Sequence, residues 1–571
     1  MKAFNIIIFC LFCTISFSQS LINVGKTPLI DNVSTCADKD GDFFILGRLR
    51  TTYPFIFENQ QGIDTVYESF ISADKDRMIL LKLDSTGNLI WSKKWDYSKI
   101  IHKKWSLNSD SQGNVIISTL MIDSIDLDPG FGMDIRMVDD YQFYQIVIKL
   151  NENGDYIWGH STEGGNIVSD VYSAVDSHDN IYCVGSFYDT LDTQFGNGEN
   201  IIVSANGAMN DYDLFLEKIS SNGSIEWVKT IDQPNVFNSA DFVVPRENGV
   251  TIFGAFNGDS LDIDPESAQQ FLANPNPFNY ASTFQLNYNE NGAIVNWDIL
   301  YSDQGIVLIN DFTVGNNNEL YLTGIGQGLV QSINGNFLGS NSFENENLML
   351  KRNAIGNIEW MRHYPNNLSW NGLSFAGRLY VIGCFNDSID FDPSDLIHQE
   401  VFYPTSNTNC TTFMLEVNEN SNFYNVHLTQ GPFHGPAGIV SNSNGRLMML
   451  EYFDDSLTNL PMNSDIIIYD DPYARVVLYI WNNEFPGGIG PSSDKTKVFP
   501  NPVLDELTIV SKSQELINSI QLVDFTGKLV FELQKIDKSK ITVDLKTLKS
   551  GLYNLILTTE NGIEVLRIAK I

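Results

Sequence analysis

At 571 residues the chain exceeds what one ordinary hydrophobic core supports, so two or more structural units are expected. Charged residues make up 18% and aromatics 12%, which excludes a disordered or coiled-coil chain and favours strands and tight turns. The net charge of −35 repels nucleic acid and anionic membranes at long range, so neither is expected as a partner.

Residues 1–18, MKAFNIIIFCLFCTISFS, combine Lys2, an apolar run from Ile6 to Cys13, and small residues at Ser16 and Ser18. That is the pattern of a secretory signal peptide cut before Gln19, too short to anchor a mature chain. Phe9 and Phe12 precede Cys10 and Cys13, which argues against lipoprotein processing. No later apolar run approaches the ~18 residues of a membrane span, so no transmembrane helix is expected. Cys36, Cys183, Cys384 and Cys410 remain, too few for a disulfide scaffold. They read as small apolar residues in strands, with a Cys384–Cys410 bridge as the alternative.

Two patterns then alternate along the chain. One is a polar turn followed by an apolar strand, as in DKDGDFFILGRL (38–49), DSQGNVIISTLM (110–121) and NSNGRLMMLEYF (442–453). The other is a strand, a glycine turn and a strand with tryptophan, as in LKLDSTGNLIWSKKW (81–95), IKLNENGDYIWGHS (148–161) and EKISSNGSIEWVKT (217–230). The tryptophans stand at 91, 158, 227, 297 and 360; a sixth copy has Ser421 for the glycine and Asn425 for the tryptophan. A tryptophan at a fixed place in every repeat reads as a packing residue rather than a sugar platform.

Each repeat of about 65 residues resolves into four strands, with no helical period. The expected fold is therefore all-β, a seven-bladed β-propeller over residues 19–485. The seventh repeat supplies only three strands before a linker at 486–497. SLINVGK (20–26) resembles SIEWVKT, so an N-terminal strand is expected to complete that blade and close the ring.

DSIDLDP (123–129), DSLDIDP (259–265) and DSIDFDP (387–393) recur at the end of the second strand of three repeats. Alternation places Ile125 and Leu127 on one face and Asp126 and Asp128 on the other, with Pro129 ending the strand. This reads as a structural strand rim. The alternative is a Ca²⁺ site at each pair, Asp126/Asp128, Asp262/Asp264 and Asp390/Asp392, whose carboxylates stand about 6.6 Å apart along the strand. No other cofactor is expected. DKDGD (38–42) has its glycine at the fourth rather than the sixth position of a calcium loop and reads as a hairpin turn. GIGQG (324–328) precedes no helix, and the seven histidines show no HExxH spacing.

The C-terminal stretch 498–571 carries KVFPNPVLDELTIVS from Lys497, then DFTGK at 524–528 and LKSGLY at 548–553. A Pro-rich start and an Asp-x-x-Gly turn read as short antiparallel strands. These residues closely resemble the type A C-terminal sorting domain of cargo of the Bacteroidota type IX secretion system. The matching positions are Pro500, Asn501, Pro502, Asp524, Gly527, Lys528, Gly551, Tyr553 and the basic Lys570. The resemblance implies a small Ig-like β-sandwich that engages the type IX machinery. It also implies a journey through the periplasm to the cell surface or medium, usually with cleavage of the domain. The repeats are similar, more loosely, to DFDPG-type repeats of secreted proteins from the same bacteria. Absent a catalytic constellation, the leading expectation is a binding module for an extracellular glycan or protein. The alternatives are a polysaccharide- or peptide-active enzyme with its site in the ring's funnel, and a Ca²⁺-dependent adhesion or surface-layer component.

Overall fold

The computed structural model describes residues 19–483 and 497–570 apart from connecting stretches, the longest being 68–75, 98–104, 137–143, 194–200, 204–212, 335–344, 392–398, 401–410 and 458–466. The signal-peptide reading of 1–18 falls outside the described residues. All regular structure described is β-strand; among these residues there is no helix. Two compact bodies form, Gln19–Asn483 and a C-terminal one from Glu484.

In the larger body one arrangement recurs, four antiparallel strands in sequence order, named a to d. The first repeat uses Ile30–Ala37, Phe43–Leu49, Asp76–Leu83 and Leu89–Tyr97. The third uses Tyr172–Val175, Ile181–Asp192, Asp213–Ile219 and Ile225–Ile231. The fourth uses Asn238–Arg246, Gly249–Phe256, Ser282–Asn289 and Ile294–Ser302. Strands b and c are buried along their length, mostly with apolar residues, because both faces are covered: Val115–Met121 and Tyr144–Leu150 of the second repeat are buried at every residue. Strand d is mostly half-buried.

Most of the turns share one chemistry. An Asp or Asn at the first position accepts backbone amides two and four residues on, and the fourth residue takes a positive φ. Asp110 Oδ1 accepts from Gln112 and Asn114, both at 2.9 Å, and Gly113 has φ 83°. Asp38 does the same for Asp40 and Asp42, so DKDGD is a hairpin turn. Ser421, in place of glycine, takes φ 64° at the cost of some backbone strain.

The a strands follow one another around a cycle. Ile30–Ala37 lies against Ser106–Ser109, which lies against Tyr172–Val175; the order continues through Asn238–Arg246, Val307–Val314, Leu368–Phe375 and Gly435–Ser441, and the last lies against Ile30–Ala37. The last repeat is completed from the other end of the body. Gln19–Pro28 pairs antiparallel with Arg475–Asn483, itself paired with Arg446–Phe453 and through it with Gly435–Ser441. The register even repeats the irregularity of a covalently continuous strand d. Between Leu21 and Asn23 one residue is skipped, as Ile90 is skipped between Leu89 and Trp91 in the first repeat.

Neighbouring repeats are fastened through a cross-strand trio: an aromatic or apolar residue on strand b, a lysine on c and the tryptophan on d. In the first repeat these are Phe44, Lys82 and Trp91. Lys82 Nζ lies 5.2 Å from the Phe44 ring centre and Trp91 5.8 Å. Trp91 Nε1 donates to the carbonyl of Glu152, in the c–d turn of the second repeat, at 3.0 Å. Trp158, Trp227 and Trp360 donate to Ser221, Glu290 and Glu419 of the repeats that follow them, at 3.2, 2.9 and 2.9 Å. A side chain on the turn glycine would collide with the tryptophan above it, since a Cβ on Gly223 would stand 2.9 Å from Trp158. The repeated glycine and tryptophan thus serve one contact, made between repeats rather than within one. Half-buried aromatic contacts of this kind are worth roughly 0.5–1.5 kcal/mol each beyond the area they bury.

The C-terminal body has a three-stranded sheet, Lys497–Phe499, Glu506–Val510 and Lys540–Asp544. A four-stranded sheet runs in the order Leu529–Lys538, Ile517–Asp524, Gly551–Thr559, Gly562–Lys570. Leu507, Ile509 and Val543 from one sheet and Ile520, Leu522 and Leu555 from the other share a single core.

Candidate functional site

The aspartate pairs are loop-closing groups wherever their side chains are described. Asp126 Oδ1 accepts the amides of Asp128 at 3.2 Å and Asp134 at 2.8 Å. Asp262 Oδ1 accepts those of Asp264 at 3.2 Å and Gln270 at 3.0 Å. The same two-on and eight-on geometry thus closes a loop in two repeats, between the short pairs Ile125–Asp126 with Ile135–Arg136 and Ser260–Asp262 with Phe271–Ala273. Asp128 Oδ1 accepts from the Gly130 amide at 2.7 Å. Asp390 lies in a matching two-residue strand, and Asp392 lies outside the described residues. Among the described residues no group of three or more His, Cys, Asp or Glu could hold a metal ion.

Cys36 and Cys183 are free, as expected of small strand residues. Cys384 departs from that reading and is disulfide-bonded; Cys410 lies outside the described residues. In the C-terminal body Tyr553 is buried and donates to the Lys549 carbonyl at 2.7 Å, Lys570 is buried, and Lys528 is exposed. Asp524 and Gly551 are strand residues, while Pro500, Asn501, Pro502 and Gly527 lie outside the described residues.

The feature that sequence reading missed is in the fourth repeat. Register shows that Trp297 does not occupy the tryptophan slot. Asn296 does, paired with Asn287 as Trp91 is paired with Lys82. Trp297 is one residue late, on the other face, packed against the third- and fourth-repeat core. The strand b member is Thr251, opposite Asn287. All three bulky members of the trio have therefore become small polar residues in one repeat. A cleft of about 240 Å³ opens there.

Arg246, at the end of strand a, forms part of the cleft wall. Its Nε donates to Thr251 Oγ1 at 3.1 Å and its Nη1 to the Asn318 carbonyl at 2.7 Å. Burial, reinforced by the nearby Arg352 charge, pushes its pKa down to about 10. Arg352 is fully buried and paired with Asp298 at 2.7 Å. Gln285, 3% exposed, points its Nε2 at Asn287 Oδ1, and its Oε1 has no hydrogen-bond partner. The signal was present in the sequence: tryptophan follows the turn glycine by four residues at 91, 158, 227 and 360, and by five at 297.

Two other repeats also lack the slot tryptophan, each with a structural reason. Asn425 holds the slot of the sixth repeat, opposite Glu416. Its acceptor turn would be the c–d turn of the seventh, where strand d comes from Gln19–Pro28 and no such turn exists. In the seventh, Asn23 holds the slot, and Arg446 Nη1 replaces the indole by donating to Ser85 of the first repeat at 2.7 Å. The fourth repeat has a following c–d turn, at Asn353–Gly356, yet leaves it uncovered by a tryptophan.

Residues 497–570 match the family described as the secretion system C-terminal sorting domain. An uncharacterized WD repeat-containing protein of Acanthamoeba polyphaga mimivirus is 24% identical over 280 residues, 45% of this chain and 19% of that protein, so the chain spans about a fifth of the relative's length. Among solved structures, a europium-containing methanol dehydrogenase is similar at 9% identity and TM-score 0.33, over 77% of this chain and 89% of that one. The phage phi92 endosialidase is similar at 10% identity and TM-score 0.31, over 96% and 88%. Likeness that loose carries no chemistry across. What stands is an all-β repeat protein joined to an export signal. The chain carries a type IX secretion sorting domain, as the residues from Lys497 onward indicated, and that domain marks it for secretion or the outer surface.

Proposed function

We propose that this is an exported binding protein. Its recognition body is a closed seven-bladed β-propeller over 19–485, and its 498–571 segment is a small Ig-like sandwich that hands it to the type IX machinery. The cycle of a strands and the antiparallel pairing of Gln19–Pro28 with Arg475–Asn483 support the ring. A leader of residues 1–18 would deliver the chain to the periplasm and free Gln19, the first residue of the closing strand. The bonded Cys384 fits a compartment outside the reducing cytosol. The observation that carries the binding role is the fourth-repeat cleft. Elsewhere the lock residues are consumed by contacts between repeats, whereas here they are given up where no change of topology requires it.

The export half is tested by a chain ending at residue 490, which should fold yet stay in the periplasm of its host; normal levels in the medium would refute it. The binding half is tested by presenting the purified exported protein to an array of extracellular glycans and to the host's surface proteins. Retention of none of them would refute it.

A further inference from the structure

We infer that the cleft between the fourth and fifth repeats is a binding site for a single acidic sugar unit, a monosaccharide ring bearing a carboxylate. This deepens the binding-module reading and rests on it.

Three observations converge. The first is size. A cleft of about 240 Å³ is below the roughly 300–1,000 Å³ that receives drug-sized ligands, and suits one ring.

The second is charge. Among the described residues no carboxylate pairs with Arg246, which donates to a neutral hydroxyl and a carbonyl. Its neighbour Arg352 is neutralised by Asp298, so a partly buried guanidinium faces the cleft without a counter-ion. A planar guanidinium is the side chain best matched to a carboxylate, through two parallel N–H donors. Glu247, also on the cleft wall, is exposed, and its charge is screened by solvent.

The third is the rest of the lining. Thr251 Oγ1 donates to Asn287 Oδ1 and Asn287 Nδ2 to Asn296 Oδ1, so these side chains form a polar chain along the wall; their remaining donors and acceptors, with Asn248, suit a ring of hydroxyl groups. At the mouth, Val295 and Ile355 are 59% and 75% exposed and offer apolar surface to the C–H face of a sugar.

The comparison with the other repeats gives this weight. In the third repeat the equivalent space is filled by Tyr182, Lys218 and Trp227, with Lys218 5.7 Å from the tyrosine ring centre. There the turn between strands a and b is headed by Asp176; here Arg246 stands at that turn. One repeat has exchanged a filled lock, whose Lys218 pairs with Glu226 at 2.9 Å, for an open cleft with Arg246 on its wall.

The experiment is calorimetric titration of the full exported protein with D-glucuronate and D-galacturonate, with D-glucose and acetate as controls. Binding of at least one uronate, with neither glucose nor acetate binding at the same concentration, is expected. Arg246→Gln should weaken it at least tenfold with an unchanged melting temperature. The double variant Asn287→Lys, Asn296→Trp rebuilds the lock and should abolish binding while raising the melting temperature. If the rebuilt lock does not fold, Thr251→Tyr alone serves as the filling variant. Uronate binding that survives both Arg246→Gln and a folded filling variant would overturn the site. Equal binding of acetate would overturn the sugar assignment, and no uronate binding would overturn both. The glycan array separates the two levels. Retention of glycans by the filled variant as strongly as by the native protein would sink the cleft and leave the binding module standing. Retention of nothing by the native protein would sink the module itself.

Discussion

The third and fourth repeats share four strands, a register between strands c and d and the same kind of c–d turn, yet one is closed where the other is open. At Tyr182, Lys218 and Trp227 the third spends its largest side chains on the contact with its neighbour, and the Trp227 indole reaches the Glu290 carbonyl at 2.9 Å. At Thr251, Asn287 and Asn296 the fourth leaves that space empty while keeping the backbone pairing intact. Backbone hydrogen bonds thus carry the repeat, and the trio is a separable layer that can be lost in one place without dissolving the sheet. Long side chains crossing between sheets make fastening a local choice.

The largest test asks whether the repeat body depends on fastening at all. Deleting residues 19–27 removes the strand paired with Arg475–Asn483 and leaves an open sheet edge. The expected loss is on the order of 5 kcal/mol, comparable to the whole stability of an ordinary domain. Thermal unfolding should show a large drop that a synthetic peptide of residues 19–27 partly restores; an unchanged transition would mean that the body closes without that strand.

A smaller effect separates filled slots from the open one. Trp158→Ala and Trp227→Ala each remove a half-buried indole and its hydrogen bond, and should each cost about 2–3 kcal/mol. Asn296→Ala, in the same slot of the fourth repeat, should change stability by less than about 0.5 kcal/mol, as exposed positions do. Equal losses in chemical denaturation would erase the distinction between the repeats.

A third test concerns a polar contact between the second and third repeats. Glu217, fully buried, accepts from Gln145 Nε2 at 2.5 Å and from Thr162 Oγ1 at 2.9 Å. Burial pushes its pKa up to about 7, against 4.5 for a free glutamate. Its contribution is complete below about pH 4.5 and is lost as pH rises through 7, because the folded state holds the proton longer than the unfolded chain. His160 beside it acts oppositely: burial pushes its pKa down to about 4, so its contribution is lost as pH falls from 6.5 toward 4. The two slopes offset. Glu217→Gln, which mimics the protonated acid, should uncover the histidine slope, with stability rising between pH 4 and 6.5 and higher than native by up to about 3 kcal/mol at pH 8. A pH profile of melting temperature unchanged by the substitution would refute this.

The smallest effect is expected at the aspartate pairs. Asp126→Asn keeps the oxygen that receives the Asp128 and Asp134 amides, so the triple variant with Asp262→Asn and Asp390→Asn should lose less than about 1 kcal/mol per site. At fixed ionic strength Ca²⁺ and Mg²⁺ should shift the melting temperature alike. A Ca²⁺-selective gain approaching about 2.7 kcal/mol per site at a hundredfold excess over Kd, lost in the triple variant, would make these loops calcium sites after all.

Much of this was legible in the chain itself. Apolar strands separated by Asx–Gly turns are local chemistry, so DSQGN or NENG declares its hairpin wherever it stands, and the repeat length followed from counting them. The sorting segment declared itself through several motifs in order. The resemblance of SLINVGK to strand d even indicated which strand Gln19–Pro28 would become, because a strand's pattern survives when its partner lies hundreds of residues away. What tertiary structure decided was the meaning of the interruptions. Trp297 counted as one more repeat tryptophan until register put Asn296 in the slot, since a shift of one residue in a strand sends a side chain to the opposite face. Asn425 looked like a lapse until the seventh repeat proved to have no turn for a tryptophan to meet. The cleft arises from the absence of three side chains on three strands, beside a turn from the next repeat. No linear pattern records an empty space; it exists only when those strands are laid side by side.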